Sequence, residues 1–168
     1  MHTHTKTSLA LAALALTASA HADVYTGQGG SIADNNSAGS DFTITVDDSM
    51  IVSDLSVTLT NFRHSFIGDL VATLTHEPTG RSITLFDRVG RVTTSSSSDG
   101  DSSNLHGNYA FADGGSNLWA AAAAGNNGTK IASGTYEATG SGIGANASTG
   151  PGSVSFASTF DGIDAHGD

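Results

Sequence analysis

The chain has 168 residues, enough for one domain around a continuous core. Six Lys and Arg stand against 16 Asp and Glu. That balance argues against a protein gripping nucleic acid or an anionic membrane, because both depend on Lys and Arg contacts. With no cysteine, its stability has to come from packing, hydrogen bonds or metal and not from disulfides.

In chain order, the first segment reads as a targeting element. Lys6 and two histidines precede an apolar run from Leu9 to Leu16, and Ala20-His21-Ala22 places small residues at cleavage positions. This is the order of a secretory signal peptide. The run is far shorter than the about 20 residues that span a bilayer. Segment 1–22 is therefore expected to be removed on export, although a buried helix of the folded protein is the alternative. What remains, 23–168, reads as one domain in a secreted, periplasmic or cell-surface location.

Beyond it, apolar residues alternate with Thr and Ser, the period of half-buried strands. Phe42, Ile44 and Val46 form one set, and Leu55, Val57 and Leu59 a second. Leu70, Ala72 and Leu74 share a third face, with Ile83 and Leu85 around Thr84. Asp47-Asp48-Ser49 separates the first two. Glu77-Pro78-Thr79-Gly80 has proline and glycine where a type I turn takes them, so Thr73-Leu74-Thr75 and Ser82-Ile83-Thr84 are expected to pair as a hairpin.

After Arg91 the pattern weakens. Ser95 to Ser103 reads as a polar loop, and Leu118-Trp119 followed by five alanines as a helical turn ended by Gly125-Asn126-Asn127-Gly128. Tyr136, Val154, Phe156 and Phe160 are expected to supply short strands, with a disordered stretch as the alternative for Ile143 to Gly152. Short strands at this spacing indicate an all-β sandwich or jelly roll.

The stretch Ile51-Val52-Ser53-Asp54-Leu55-Ser56-Val57-Thr58-Leu59, then His64-Ser65-Phe66-Ile67-Gly68-Asp69-Leu70, then Pro78-Thr79-Gly80 and Thr84-Leu85-Phe86, resembles the P domain (Homo B domain) that follows the subtilisin-like catalytic domain of proprotein convertases. The likeness reaches upstream to Ile32-Ala33-Asp34-Asn35 and downstream to Phe156 through Gly162, and is specific over Ile51 to Gly90. The resemblance implies a jelly-roll β-sandwich similar to galactose-binding domains. It also implies an accessory role, stabilising and tuning a neighbouring serine-type endopeptidase. The family continues past a Gly-x-Trp segment into two further strands. On that basis 23–168 is expected to be incomplete at its C-terminus, with an uncovered apolar face and a tendency to aggregate.

No catalytic residue is expected. No segment resembles the glycine-framed surroundings of a serine nucleophile. His64 and Ser65, adjacent on an alternating segment, are expected to point to opposite faces. His64, Gly68, Asp69, Pro78 and Gly80 read as structural turn residues: Asp69 is expected to accept backbone N–H bonds that lock its turn, and His64 to bond across the same loop.

Calcium is the one cofactor with candidate ligands, at Asp34, Asn36, Asp99, Asp101 and Asp113, with Asn35 and Asp87 beside them. Asn104 and Ala110, standing at positions six and twelve of the loop that starts at Asp99, exclude an EF-hand. The histidines outside the leader (His64, His76, His106 and His166) lack metal-ligand spacing. Asn35-Asn36-Ser37, Asn127-Gly128-Thr129 and Asn146-Ala147-Ser148 fit the glycosylation triplet. The expected function is a secreted, non-catalytic module that binds a protein or an extracellular polymer. The alternative is a carbohydrate-binding module, for which Trp119 and Tyr109 are the aromatics expected in loops.

Overall fold

The computed structural model describes residues 22–32, 36, 38–95, 100–125 and 128–167. Residues 1–21 of the leader, Asp34, Asn35, Asp99 and Asn127 lie outside these residues. The fold is mostly strands in two sheets with few helices. The first sheet has the order β1 (Val57–His64), β4 (Leu105–Ser116), β5 (Gly134–Tyr136), and the second pairs β2 (Val71–His76) with β3 (Arg81–Asp87). Helices α1 (Leu118–Ala123) and α2 (Phe156–Phe160) are short. No helix among the described residues is long and apolar enough to cross a membrane.

The alternation expected of β1 is present with one break. Val57 and Leu59 face inward, and so do Phe62 and His64. Parity changes because Asn61 forms a bulge: Leu59 pairs with Tyr109 but Phe62 with Gly107. Asn61 sits at φ 52, a left-handed conformation that asparagine tolerates, and its N–H donates to Asn108 Oδ1 at 2.8 Å. Without the bulge, Arg63 would point into the core.

The β2–β3 hairpin has the expected register, with Thr73 opposite Thr84, Leu74 opposite Ile83 and Thr75 opposite Ser82. Its turn closes as Gly80 N donates to His76 O at 2.9 Å, with Gly80 at φ 66.

Elsewhere the expectations need correction. The stretch holding Phe42, Ile44 and Val46 is not a strand; only Val46 pairs, with Gly167. Its neighbour is the Gly27–Gly30 stretch, with Gly27 against Ile44 and Gly30 against the Phe42 ring. That stretch supplies neither a ladder nor side chains to bury Phe42, which is 47% exposed. Conversely, β4 is the longest strand, in a region whose pattern looked weak. Tyr109 lies on it, buried, its hydroxyl donating to Ile131 O at 2.9 Å.

Helix α1 forms where expected. Asn117 caps it by accepting from Ala120 N at 2.8 Å. Trp119 is fully buried on its inner face, not in a loop. The 143–152 stretch is an ordered turn laid over that indole: Gly144 N donates to Arg91 O at 3.0 Å, and Ala145 N to Gly150 O at 3.2 Å.

Tyr136 lies in β5 as expected, and Val154 makes a single pair with Ala138. Phe156 and Phe160, expected in strands, are helical. Their four-residue spacing puts both rings on one helix face, and both are buried. Residues 162–167 run antiparallel to 46–52, through pairs Ile51–Asp164 and Val46–Gly167. Ile163 is buried with the two phenylalanines, so the apolar residues of this stretch are covered.

One core serves both sheets. Phe86 of β3 stacks on Phe111 of β4 with ring centroids 5.7 Å apart, and Leu85, Leu105, Leu118 and Ile131 fill around them. This arrangement fits a β-sandwich.

Helix α2 ties the sheets together. At its N-terminal end, Asp113 of β4 accepts from Phe156 N at 2.8 Å, Ala157 N at 3.0 Å and Ser155 Oγ at 2.8 Å. At the other end, Arg81 of β3 donates from Nη1 to Thr159 O at 2.8 Å. Carboxylate at the N-terminus and guanidinium at the C-terminus also match the helix dipole.

The Ala157 N–H, with the Ser155 hydroxyl and the Phe156 N–H, holds the Asp113 carboxyl below the usual aspartate range against partial desolvation. A carboxyl lowered in the folded state stabilises above its unfolded pKa, and that stability is lost as pH falls through the folded value. Asp164 adds to the same limb, lowered by the Ser49 hydroxyl and then the His166 and Met50 N–H groups. Asp113→Ala is expected to cost about 1–2 kcal/mol near neutral pH, as loss of a helix cap does, and to flatten the fall in stability below about pH 4. Urea unfolding from pH 2.5 to 7 measures both.

Candidate functional site

The sequence singled out the connection between β1 and β2, which is a 3₁₀ turn, Ile67–Asp69. Ile67 is buried, anchoring the turn in the core. Its backbone is held by the 100–103 segment: Ile67 N donates to Ser103 O at 3.1 Å and Gly68 N to Asp101 O at 2.9 Å. That segment is braced in turn, since Asp101 N donates to Val89 O at 2.7 Å and Asp101 Oδ1 accepts from Ser103 N at 2.8 Å. Arg88 closes the other side, its N bonding Leu70 O at 2.7 Å and its Nε reaching Gly68 O at 3.3 Å.

The lock is therefore Asp101 and not Asp69. Among the described residues, the Asp69 carboxylate approaches only His64 Nδ1, at 3.7 Å, and its side chain is 54% exposed. His64 does bond across the loop, Nδ1 accepting from Phe66 N at 3.1 Å. That bond requires an unprotonated Nδ1. Pro78 and Gly80 sit in the hairpin turn, where Pro78 packs against Gly167 and His76 Nδ1 lies 2.8 Å from Thr79 Oγ1.

Asp34 and Asp99 lie outside the described residues, and the calcium candidates that are described each have another role. Asn36 Oδ1 accepts from Ala38 N, Asp87 from Gly142 N, Asp101 braces its own turn and Asp113 caps α2. Among the described residues no group of three or more His, Cys, Asp or Glu is placed to hold a metal ion. Asn146 is exposed, its Oδ1 accepting from Ser148 N and Oγ.

Among the described residues, two surface hollows lie near polar side chains. The larger, about 490 Å³, is lined by Arg63, His64, Ser65, Asn104, Leu105 and His106. The smaller, about 280 Å³, is lined by Asp113, Gly114, Glu137, Ser153, Val154 and Ser155, and its Asp113 is already occupied by α2.

Strand register builds the larger one. Arg63 lies opposite His106, and Asn104 opposite Lys130. Paired residues share a side of the sheet, as do residues two apart along a strand, so Arg63, His106, Asn104 and Lys130 present one face. Leu105, between two of them, is buried beneath. This cationic face gave no sequence signal, because its members are far apart in the chain and the Asn61 bulge decides which way Arg63 points.

No family model, curated protein or solved structure matches the chain.

Proposed function

We propose that the chain is a non-catalytic interaction module of the P-domain type, with a jelly-roll architecture like that of galactose-binding domains, acting outside the cytoplasm as an accessory or stabilising partner of another protein. The observation that carries this reading is how the potentially reactive side chains are used. Asp87, Asp101, Asp113 and Asp164 each accept backbone N–H bonds, and His64 Nδ1 holds the Phe66 N–H. These groups hold the fold, whereas a general base needs its acceptor free to face a substrate. The strand, 3₁₀ turn and Pro-x-Gly hairpin over Val57–Asp87 lend support, being the elements the resemblance expects in that order. The sugar-binding alternative loses its stacking platform, because Trp119 and Tyr109 are both buried.

The reading is tested on the purified chain 23–168. A fluorophosphonate serine probe is expected to leave it unlabelled, and addition to a subtilisin-like catalytic domain from the same organism is expected to raise that domain's Tm. Stoichiometric labelling of one serine would overturn the non-catalytic reading.

A further inference from the structure

We propose that the face formed by Arg63, His106 and Lys130 docks an extended, carboxylate-rich polypeptide segment along β1. All three residues are exposed. In a chain with 16 acidic residues against six basic ones, cations are expected to be paired. Here Arg63 Nε donates to Asn61 Oδ1 at 3.3 Å, and both terminal amino groups of its guanidinium have no partner among the described residues. The His106 ring and the Lys130 ammonium are likewise unpaired among them.

Asn61 is itself fixed, through its N–H to Asn108 Oδ1. The guanidinium is thus oriented from its Nε side, with the fork that grips a carboxylate left open. Lys130 adds a point charge across Asn104, while Asn104 Nδ2 is spent on Gly128 O at 2.7 Å.

A polypeptide is favoured over another polyanion by what lies beside the charges. Strand β1 is the outer strand of its sheet, and among the described residues no backbone–backbone hydrogen bond reaches its outer edge. An extended peptide satisfies such an edge with its own N–H and C=O groups, and a polysaccharide does not. The Asn61 bulge and Arg63 are also the devices that deter a neutral or basic strand from pairing there. An acidic strand converts the same arginine from deterrent to anchor.

This inference rests on the interaction-module reading and names its partner class. The test uses the chain 23–168 and a labelled peptide, acetyl-(Thr-Glu)₄-amide, followed by fluorescence anisotropy at low and high salt. Binding is expected, weakened by salt, and reduced about tenfold by Arg63→Gln, as for loss of one charge-assisted contact. Lys130→Gln is expected to reduce it less, because that ammonium lies beyond β4 from the edge and acts only at long range. Arg91→Gln, which removes an equal charge elsewhere, is expected to leave it unchanged. Melting curves confirm that the variants fold. Three results overturn the proposal: no binding at millimolar peptide, equal binding by the Arg63→Gln and Arg91→Gln variants, or tighter binding of polygalacturonate than of the peptide. Each leaves the module reading intact, whereas labelling by the serine probe fails that reading independently of the peptide.

Discussion

Trp119→Ala is expected to lose about 3–5 kcal/mol, the cost of deleting a large aromatic from a closed core. A domain of this size has about 5–15 kcal/mol in total, so the variant is expected to lose a large fraction of its stability. The site has little room to collapse. The indole has no exposed surface and is covered by Gly144 and Gly150, where an added Cβ would lie 2.7 Å and 2.9 Å from the ring. Gly150 is also at φ 65, so that turn is shaped around the tryptophan by backbone alone. The Trp119 Nε1–H is buried with no acceptor among the described residues, a group that costs about 1–3 kcal/mol when left unmade. Trp119→Phe removes that donor with the smaller loss of volume and is expected to recover at least half of the alanine variant's deficit. Urea denaturation of the three proteins, compared at constant m-value, decides it. An alanine variant within about 1 kcal/mol of the parent would contradict the packing described.

The second large effect is expected at Gly100. It has φ 82, and a Cβ there would meet Gly68 Cα at 2.7 Å and Val89 O at 2.7 Å. Both are backbone atoms of segments already held by hydrogen bonds, so neither yields cheaply. Gly100→Ala adds a left-handed penalty of roughly 1–2 kcal/mol to an overlap costing about 1–3 kcal/mol. Gly80 provides the contrast: its φ is 66, but an added Cβ meets nothing within 4 Å, so Gly80→Ala carries the conformational penalty alone. The Gly100 variant is expected to lose at least twice as much stability as the Gly80 variant. It should also shift the His64 ring resonances, because the loop it disturbs carries that residue. Equal losses would mean that segment 100–103 does not brace the Ile67–Asp69 turn.

Much of the first half of the fold was legible because its signals are local. The β2–β3 register followed from a Pro-x-Gly turn between two alternating runs, and both lie within one short stretch. Strand β4 was hidden for a physical reason. Gly107, Gly114 and Gly115 interrupt its pattern, and its burial comes from lying between β1 and β5, which no window of sequence contains. The Phe42 set shows the converse, since a strand-like period without a ladder beside it stays irregular. At the candidate site, the turn residues were found, but the brace expected of Asp69 falls to Asp101, which the sequence suggests as a calcium candidate. Both are loop aspartates near a glycine, and only the position of Val89 and Ser103 in space decides which one is braced. The cationic face was invisible because a single bulge at Asn61 sets its orientation.

The strap formed by α2, together with the pairing of 46–52 with 162–167, bears on the order of assembly. Ser49 bonds Asp164 across a separation of 115 residues, and Asp113 reaches Ser155 across 42. Contacts closing such long loops form late, because the entropy of closure comes before any reward. Among the described residues the β2–β3 hairpin is the extensive pairing complete within a single short stretch, whereas the contacts of α2 and of 162–167 need residues beyond 150. The strap over the two sheets is therefore a late addition to a β1–β4 pairing and a β2–β3 hairpin that can both form before it.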